Sequence, residues 1–366
     1  NAGAKVVKTF AYEISGSEQQ EIYDINPDLV LLCGGTDGGN KEVIISNAKH
    51  LVAIDRPFTT IVAGNKSAND DIKAIFNEAG KDVVITENVM PQFNKLNIEP
   101  ARDAIRQLFI SRIIEAKGLN ILQSMTSYKI IPTPLAVLHA CEILSKGTKT
   151  QQGRGDLLAV DIGGATTDVY SMASGEPTVD NTMLKGLPEP WMKRTVEGDL
   201  GMRYSLTHVY EQIPGSDNPE NEYMQQVKAW VELCTARPDT LAAPGSEEEK
   251  LEEFLGRSAV SMAVERHCGR IADVYTPLGL MHTQEGKDLM NVPSVIGIGG
   301  VLRNSRRPEE ILKGSLYDFM HPECTKPRKP KFYLDQKYIF ASMGLLRSIN
   351  PELAFELLDK ETVEIG

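Results

Sequence analysis

The sequence predicts an α/β protein of two domains, and three observations carry that expectation. Apolar strand-like runs alternate with amphipathic helical stretches through the first third of the chain, the long apolar run at Leu157–Met172 is broken by paired glycines, and a second apolar run at Val295–Ile298 ends in glycines too. Alternation with short connections implies right-handed βαβ units and a parallel sheet. An unbroken apolar run is what a strand buried on both faces looks like.

Taken in order, Lys5–Thr9 is expected as a strand, Glu18–Asp24 as a helix, Asp28–Leu32 as a strand and Lys41–Leu51 as a helix. The pattern repeats with a strand at Thr60–Val62, a helix at Ala68–Ala79, a strand at Asp82–Thr86 and a long helix at Glu99–Ala116. Gly118 stops that helix, so a domain boundary is expected at Lys117–Thr126, dividing the chain into 1–118 and 119–366. Ile213–Asn221 and Thr240–Glu249 read as surface loops, the second running into a helix whose SEEEK start places acids at the positive helix end.

Composition narrows the function. With 366 residues and 41% hydrophobic content, the chain is long enough for two sizeable cores. A net charge of −11 argues against nucleic acid as the main partner, since phosphate backbones demand clustered Lys and Arg. The short basic stretch Lys326–Lys331 reads as a loop. No apolar run reaches the roughly eighteen residues of a transmembrane helix. The five cysteines lack CxxC spacing, which points to reduced thiols and a cytoplasmic protein, and the six histidines show no zinc-ligand spacing.

The chemistry concentrates in LLAVDIGGATTDVYSM, Leu157–Met172, which reads as strand, glycine turn and strand. Gly163 and Gly164 let backbone N–H groups approach an anion where a Cβ would obstruct, and Thr166 and Thr167 add hydroxyls. Asp161 and Asp168 flank the turn. Two carboxylates beside a phosphate cradle suit Mg²⁺, held through its waters. An ordinary hairpin with two solvated aspartates fits DxGG alone equally well.

The full string resembles the second phosphate motif, D-[IL]-G-G-[GA]-T-[TF]-D, of the superfamily that contains actin, the Hsp70 chaperones and the sugar and acetate kinases. Three further segments resemble other motifs of that superfamily in the same order along the chain. VIGIGGVLRN (Val295–Asn304), with Gly297, Gly299 and Gly300, is similar to the adenosine motif. PTPLAVLHA (Pro132–Ala140) and YIFASMGLLR (Tyr338–Arg347) resemble the two connecting helices that meet at the hinge between lobes. The resemblance implies an actin/Hsp70-like (ribonuclease H-like) ATPase lobe beside the parallel α/β domain, with ATP and Mg²⁺ as cofactors.

Within the superfamily, LVLLCGGTDGGNKEVIISNAK (Leu29–Lys49), Leu157–Ser171, GLPEP (Gly186–Pro190) and RTVEGDLGMRYS (Arg194–Ser205) resemble the MutL-type accessory protein of adenosylcobalamin-dependent glutamate mutase. That family is unrelated to the mismatch-repair proteins sharing its name. The resemblance implies an ATP-dependent reactivating factor that releases damaged cobalamin from glutamate mutase or a related aminomutase. A small-molecule kinase and a nucleotide-latched interaction protein are the alternatives on the same fold; no residue stands out as the general base a kinase needs. Glu197, in the turn of Arg194–Arg203, is expected beside phosphate or ribose, although its neighbouring arginines could equally form a salt bridge. Val264–Arg270 is expected to align Arg266 and Arg270 one helical turn apart, with Glu265 or Arg266 near the ribose.

CGGTDGGN (Cys33–Asn40) and AGNK (Ala63–Lys66) follow strands and precede helices; tight turns with Asn40 capping the next helix account for them, and an anion site or a partner-docking surface are the functional alternatives. The superfamily's first phosphate motif, a D-x-G-[ST] hairpin, has no counterpart before the first connecting helix. Phosphoryl transfer needs charge neutralised from both sides of the cleft, so this chain is expected to bind ATP weakly and hardly hydrolyse it, as an N-terminally shortened family member would.

Overall fold

The computed structural model describes residues 6–116, 125–128, 130–277 and 279–366. The chain divides into two compact units, 1–130 and 131–366. Most of the boundary expected at Lys117–Thr126 lies outside the described residues.

Among its described residues the first unit holds three parallel strands in the order β1 (Leu29–Leu32), β2 (Thr59–Val62) and β3 (Val83–Ile85). Helices Glu42–Val52 and Asn69–Glu78 are the crossovers, and their apolar stripes (Ile44, Ala48 and Leu51; Ile72 and Phe76) fill the core with Leu32, Phe58 and Val62. Helix Gly16–Ile25 opens with a capping box, in which Ser15 accepts from Glu18 N and Glu18 reaches back to Ser15 N. The strand expected at Lys5–Thr9 does not form at residues 6–9. Val6 and Val7 are exposed, and Lys8 instead pairs with Glu21 on that helix. A two-valine run offers too little apolar surface to hold a further strand on the sheet edge.

The second unit is built on a six-stranded sheet in the order β12-β11-β10-β4-β5-β7. Its strands are β4 (Leu157–Ile162), β5 (Thr167–Met172), β7 (Met192–Glu197), β10 (Ser294–Ile298), β11 (Lys331–Asp335) and β12 (Thr362–Ile365). Strands β4, β10 and β11 run parallel, while the β4–β5, β5–β7 and β11–β12 pairs are antiparallel. Strands β6 (Thr182–Lys185), β8 (Arg270–Thr276) and β9 (Gly279–Glu285) form a smaller sheet.

Alternation along the strands sends side chains to two cores. Leu158, Val160, Val169 and Val295 face helices Glu222–Ala236 and Glu247–His267. Leu157, Ala159, Tyr170, Met172 and Ile296 face helices Thr133–Lys146, Phe340–Leu346 and Pro351–Glu361. The sheet is thus covered on both sides, which is why β4 is apolar almost throughout. Among the described residues no helix is long and apolar enough to cross a membrane.

Helices Thr133–Lys146 and Phe340–Leu346 cross at closest approach on Gly344. A Cβ there would lie 1.8 Å from the Ala136 carbonyl oxygen, so only glycine fits. Gly344→Ala should therefore destabilise the protein by about 3 kcal/mol in urea denaturation, because backbone must move to admit the methyl. Gly16→Ala, whose methyl meets nothing within 4 Å, should leave stability within about 0.5 kcal/mol. Equal effects of the two would contradict this packing.

Candidate functional site

The turn between β4 and β5 is the tight hairpin that the paired glycines predict, closed by Gly163 N donating to Thr166 O at 2.9 Å. Segment 198–205 lies against it: Met202 N donates to Gly163 O at 3.0 Å, and Arg203 N and Tyr204 N both donate to Gly164 O at 2.8 Å. A trans peptide points its N–H opposite to its carbonyl, so the N–H groups of Gly164 and Ala165 face away from that segment, side by side. Adjacent N–H groups so disposed form an anion-binding concavity. Gly201 makes the close approach possible, since a Cβ on it would fall 2.2 Å from the Ala165 carbonyl carbon.

Asp161 and Asp168 are directly opposite each other across the β4–β5 pair, and so share one face of the sheet. Asp168 is buried and held by Arg194, with guanidinium nitrogens at 2.6 and 2.8 Å from Oδ1, and Thr166 Oγ1 lies 3.3 Å from Oδ2. Asp161 has its acidity weakened, its pKa pushed up to about 6, first by burial and then by the charges of Asp168 and Asp335; Arg194 opposes the shift.

Asp335 is the third acid of this cluster and was not anticipated from the sequence. It ends β11 one residue beyond Leu334, the register partner of Gly297, and accepts from Ile339 N at 2.9 Å and Phe340 N at 3.1 Å. Those bonds tie helix Phe340–Leu346 to the strand end. Burial raises its pKa. The signal was available, because an aspartate closing an apolar strand just before a helix is a natural cap.

The glycines of the β10 motif divide their work. Gly299 has φ +100°, and a Cβ there would fall 2.5 Å from Ile162 O and 2.7 Å from Asp161 Oδ1. It brings the start of helix Gly300–Asn304 against the end of β4. Gly297 is buried, and a Cβ on it would lie 3.0 Å from Leu302, so it serves the packing beneath that helix.

Other expected residues lie elsewhere. Thr167 sits on the opposite face of the sheet from Asp168, fully buried, with its hydroxyl donating to Leu200 O. Glu197 shares that opposite face as the register partner of Thr167. It accepts from Arg266 at 2.7 Å, and Arg266 also clamps Asp199 at 2.7 and 2.8 Å. Hydrogen bonds from Arg266, the largest cause, hold the Asp199 carboxyl down at about 2. The segment's own arginines are both in salt bridges, Arg194 with Asp168 at 2.6 Å and Arg203 with Glu252 at 2.7 Å. Arg266 and Arg270 are not on one helix face: the helix ends at His267, Cys268 is extended, and Arg270 opens β8 and pairs with Glu265 at 2.8 Å.

The Cys33–Asn40 and Ala63–Lys66 loops are knitted together in the first unit. Asn65, fully buried, accepts from Gly38 N and Ser67 N and donates to the Gly39 and Asn40 carbonyls, all within 3.1 Å. Asp37 accepts from Lys66 N and Asn88 at 3.0 Å and borders a cavity of about 650 Å³ with Lys66, Asn69, Thr86 and Glu87.

Among the described residues no three His, Cys, Asp or Glu side chains converge closely enough to ligate a metal directly. The facing carboxylates of Asp161 and Asp168 fit a hydrated divalent cation instead, since a nearby positive charge offsets the repulsion that weakens Asp161.

Fold and site together define a mixed α/β protein whose larger unit carries an anchored glycine hairpin flanked by paired carboxylates. The profile of the family described as MutL protein matches residues 1–362, and the chain belongs to that family. Protein MutL of Clostridium tetanomorphum is 45% identical to it over 367 residues, an alignment covering all of this chain and 79% of that protein.

Because the folded pKa of Asp161 lies above the ordinary aspartate value of 3.8, the folded chain holds this proton more tightly than the unfolded chain does. Its contribution is favourable at low pH and is lost as pH rises from 3.8 to about 6. Asp161→Asn should therefore raise the metal-free protein's unfolding free energy in urea at pH 7, by up to about 3 kcal/mol, and much less near pH 4. An unchanged value at pH 7 would contradict this electrostatic reading.

Proposed function

We propose that this protein is an ATP-dependent reactivating factor of an adenosylcobalamin-dependent mutase of the glutamate mutase type, releasing damaged cobalamin from the inactivated enzyme. Membership of the MutL family supports the partner class. The single observation that carries the nucleotide part is the juxtaposition, at the ends of neighbouring strands β4 and β10, of the Gly163–Thr166 hairpin and the Gly299 turn.

Bound MgATP would supply the γ-phosphate bond energy and its own charge. The hairpin N–H groups of Gly164 and Ala165 would donate to phosphate oxygens, with the Thr166 hydroxyl beside them. Asp161 and Asp168 face the hydrated metal. Gly299 and Gly300 leave room at the end of β10 for the nucleoside. Arg194 pairs with Asp168 at 2.6 and 2.8 Å and neutralises its charge.

Coupling to the partner follows from where the carboxylates sit. They lie on the sheet face covered by helices Thr133–Lys146 and Phe340–Leu346, the second of which hangs on Asp335. A change of charge beside Asp161 therefore acts on the pair of helices that meet at Gly344. In an ATP-driven cycle that pair is the hinge, and its angle sets affinity for the mutase.

The test is cobalamin release from inactivated mutase, followed spectroscopically with and without MgATP. Asp161→Ala and Asp168→Ala should each abolish the nucleotide-dependent release. Full retention by both variants would remove the mechanism. ATP turnover stimulated by a sugar or small acid, and not by inactivated mutase, would replace it with a kinase; turnover stimulated by self-assembly alone would make the nucleotide a structural latch.

A further inference from the structure

Two of the five cysteines are neighbours, although they are far apart in the sequence. Helix Glu247–His267 stops at Cys268, whose extended backbone turns the chain alongside residues 323–326. There Ile271 N donates to Glu323 O at 2.8 Å, Thr325 N donates to Gly269 O at 3.0 Å, and Arg270 and Cys324 form an antiparallel bridge. Residues two apart along a strand share a face, which makes Cys268 the diagonal neighbour of Cys324. The two side chains belong to the same core cluster; the Cys268 thiol donates to Glu265 O at 3.5 Å and the Cys324 thiol to Glu323 Oε1 at 3.9 Å. Lys326, itself buried, holds Ser261 Oγ at 2.9 Å on the helix and places its charge beside Cys268.

We propose that Cys268 and Cys324 are a redox modification site, a thiol pair that a peroxide closes reversibly to a disulfide at the C-terminal end of helix Glu247–His267. The Cys268 thiolate attacks one peroxide oxygen, the O–O bond breaks, hydroxide leaves and a sulfenic acid forms. The Cys324 sulfur then attacks the Cys268 sulfur and displaces the second hydroxide. The two thiol protons leave with the two hydroxides, so each sulfur gives one electron and the peroxide becomes two waters. A thiol reductant reverses the bond by exchange.

The roles follow from the surroundings. The neighbouring Cys324 thiol, first, and then the Lys326 charge and the Thr325 N–H lower the Cys268 pKa, against burial and the charge of Glu265. The neighbouring Cys268, first, and burial raise the Cys324 pKa and keep its thiol protonated. Cys141 and Cys234 differ, for burial raises both. Closure also has a mechanical consequence. Diagonal strand neighbours have Cα atoms about 7–8 Å apart, whereas disulfides span about 4.4–6.8 Å, so the bond draws the helix end in by on the order of 1 Å. That end carries Arg266, which holds Glu197 and Asp199.

The experiment is peptide mapping of the full chain after hydrogen peroxide, with remaining thiols alkylated and no reductant in the digest. The expected result is a linked pair of peptides containing Cys268 and Cys324, reversed by dithiothreitol, with Cys141 and Cys234 recovered as free thiols. Cys324→Ser should leave Cys268 as a sulfenic acid trapped by dimedone, and Cys268→Ser should leave Cys324 a thiol. Recovery of both as free thiols while exposed Cys33 is oxidised would overturn the proposal, as would linkage of either to another cysteine. The wild-type map decides this even if a serine variant folds poorly.

Discussion

Everything at the candidate site depends on how closely β10 can end against β4. The two strands pair in parallel up to Ile298 and Asp161, and the chain must then turn away over the Ile162 carbonyl. Only a residue without a side chain, in the left-handed region, can do so, and Gly299 supplies both properties. That approach sets the start of helix Gly300–Asn304 beside the hairpin of β4 and β5. With larger side chains at Gly299 and Gly201, neither the β10 turn nor segment 198–205 could close on the hairpin, and the N–H groups of Gly164 and Ala165 would lose their fixed direction.

The second constraint is electrostatic. Asp161, Asp168 and Asp335 converge on one sheet face, where Arg194 pairs with one of them and backbone N–H groups hold another. Asp161 is left with burial and two like charges, a costly arrangement that a core built for stability alone would avoid. On the opposite face the same strands carry Thr167 and Glu197, whose partners are Leu200 O and Arg266. Alternation along β5 thus separates a charge-stressed side from a satisfied one. The stressed side is the one that a cation would relieve.

Much of this was legible in the sequence, where local chemistry and distant packing agree. The DIGGATTD hairpin, the VIGIG strand and the βαβ rhythm of the first unit follow from glycine placement and apolar runs, and the SEEEK segment does begin a helix, capped by Ser246. Legibility failed where the outcome turned on partners distant in sequence. Val6 and Val7 have strand propensity but no strand to pair with. Thr166 and Thr167 look alike in sequence, and only the strand's alternation sends one to the turn and the other into the core. Arg266 and Arg270 keep helical spacing, but the helix has already stopped at His267. The capping role of Asp335 is local and readable, but its convergence with Asp161 and the Cys268–Cys324 pairing are tertiary juxtapositions that no spacing rule announces.

The most direct test of the account is hydrogen exchange of the full chain with and without saturating MgATP, read peptide by peptide. The hairpin at 161–168 and the β10 turn at 297–304 should slow together on nucleotide addition, and Asp168→Ala should lose both effects. Protection confined to the loops at 33–40 and 63–66, or absent from both strand ends, would contradict the claim that this hairpin holds the nucleotide.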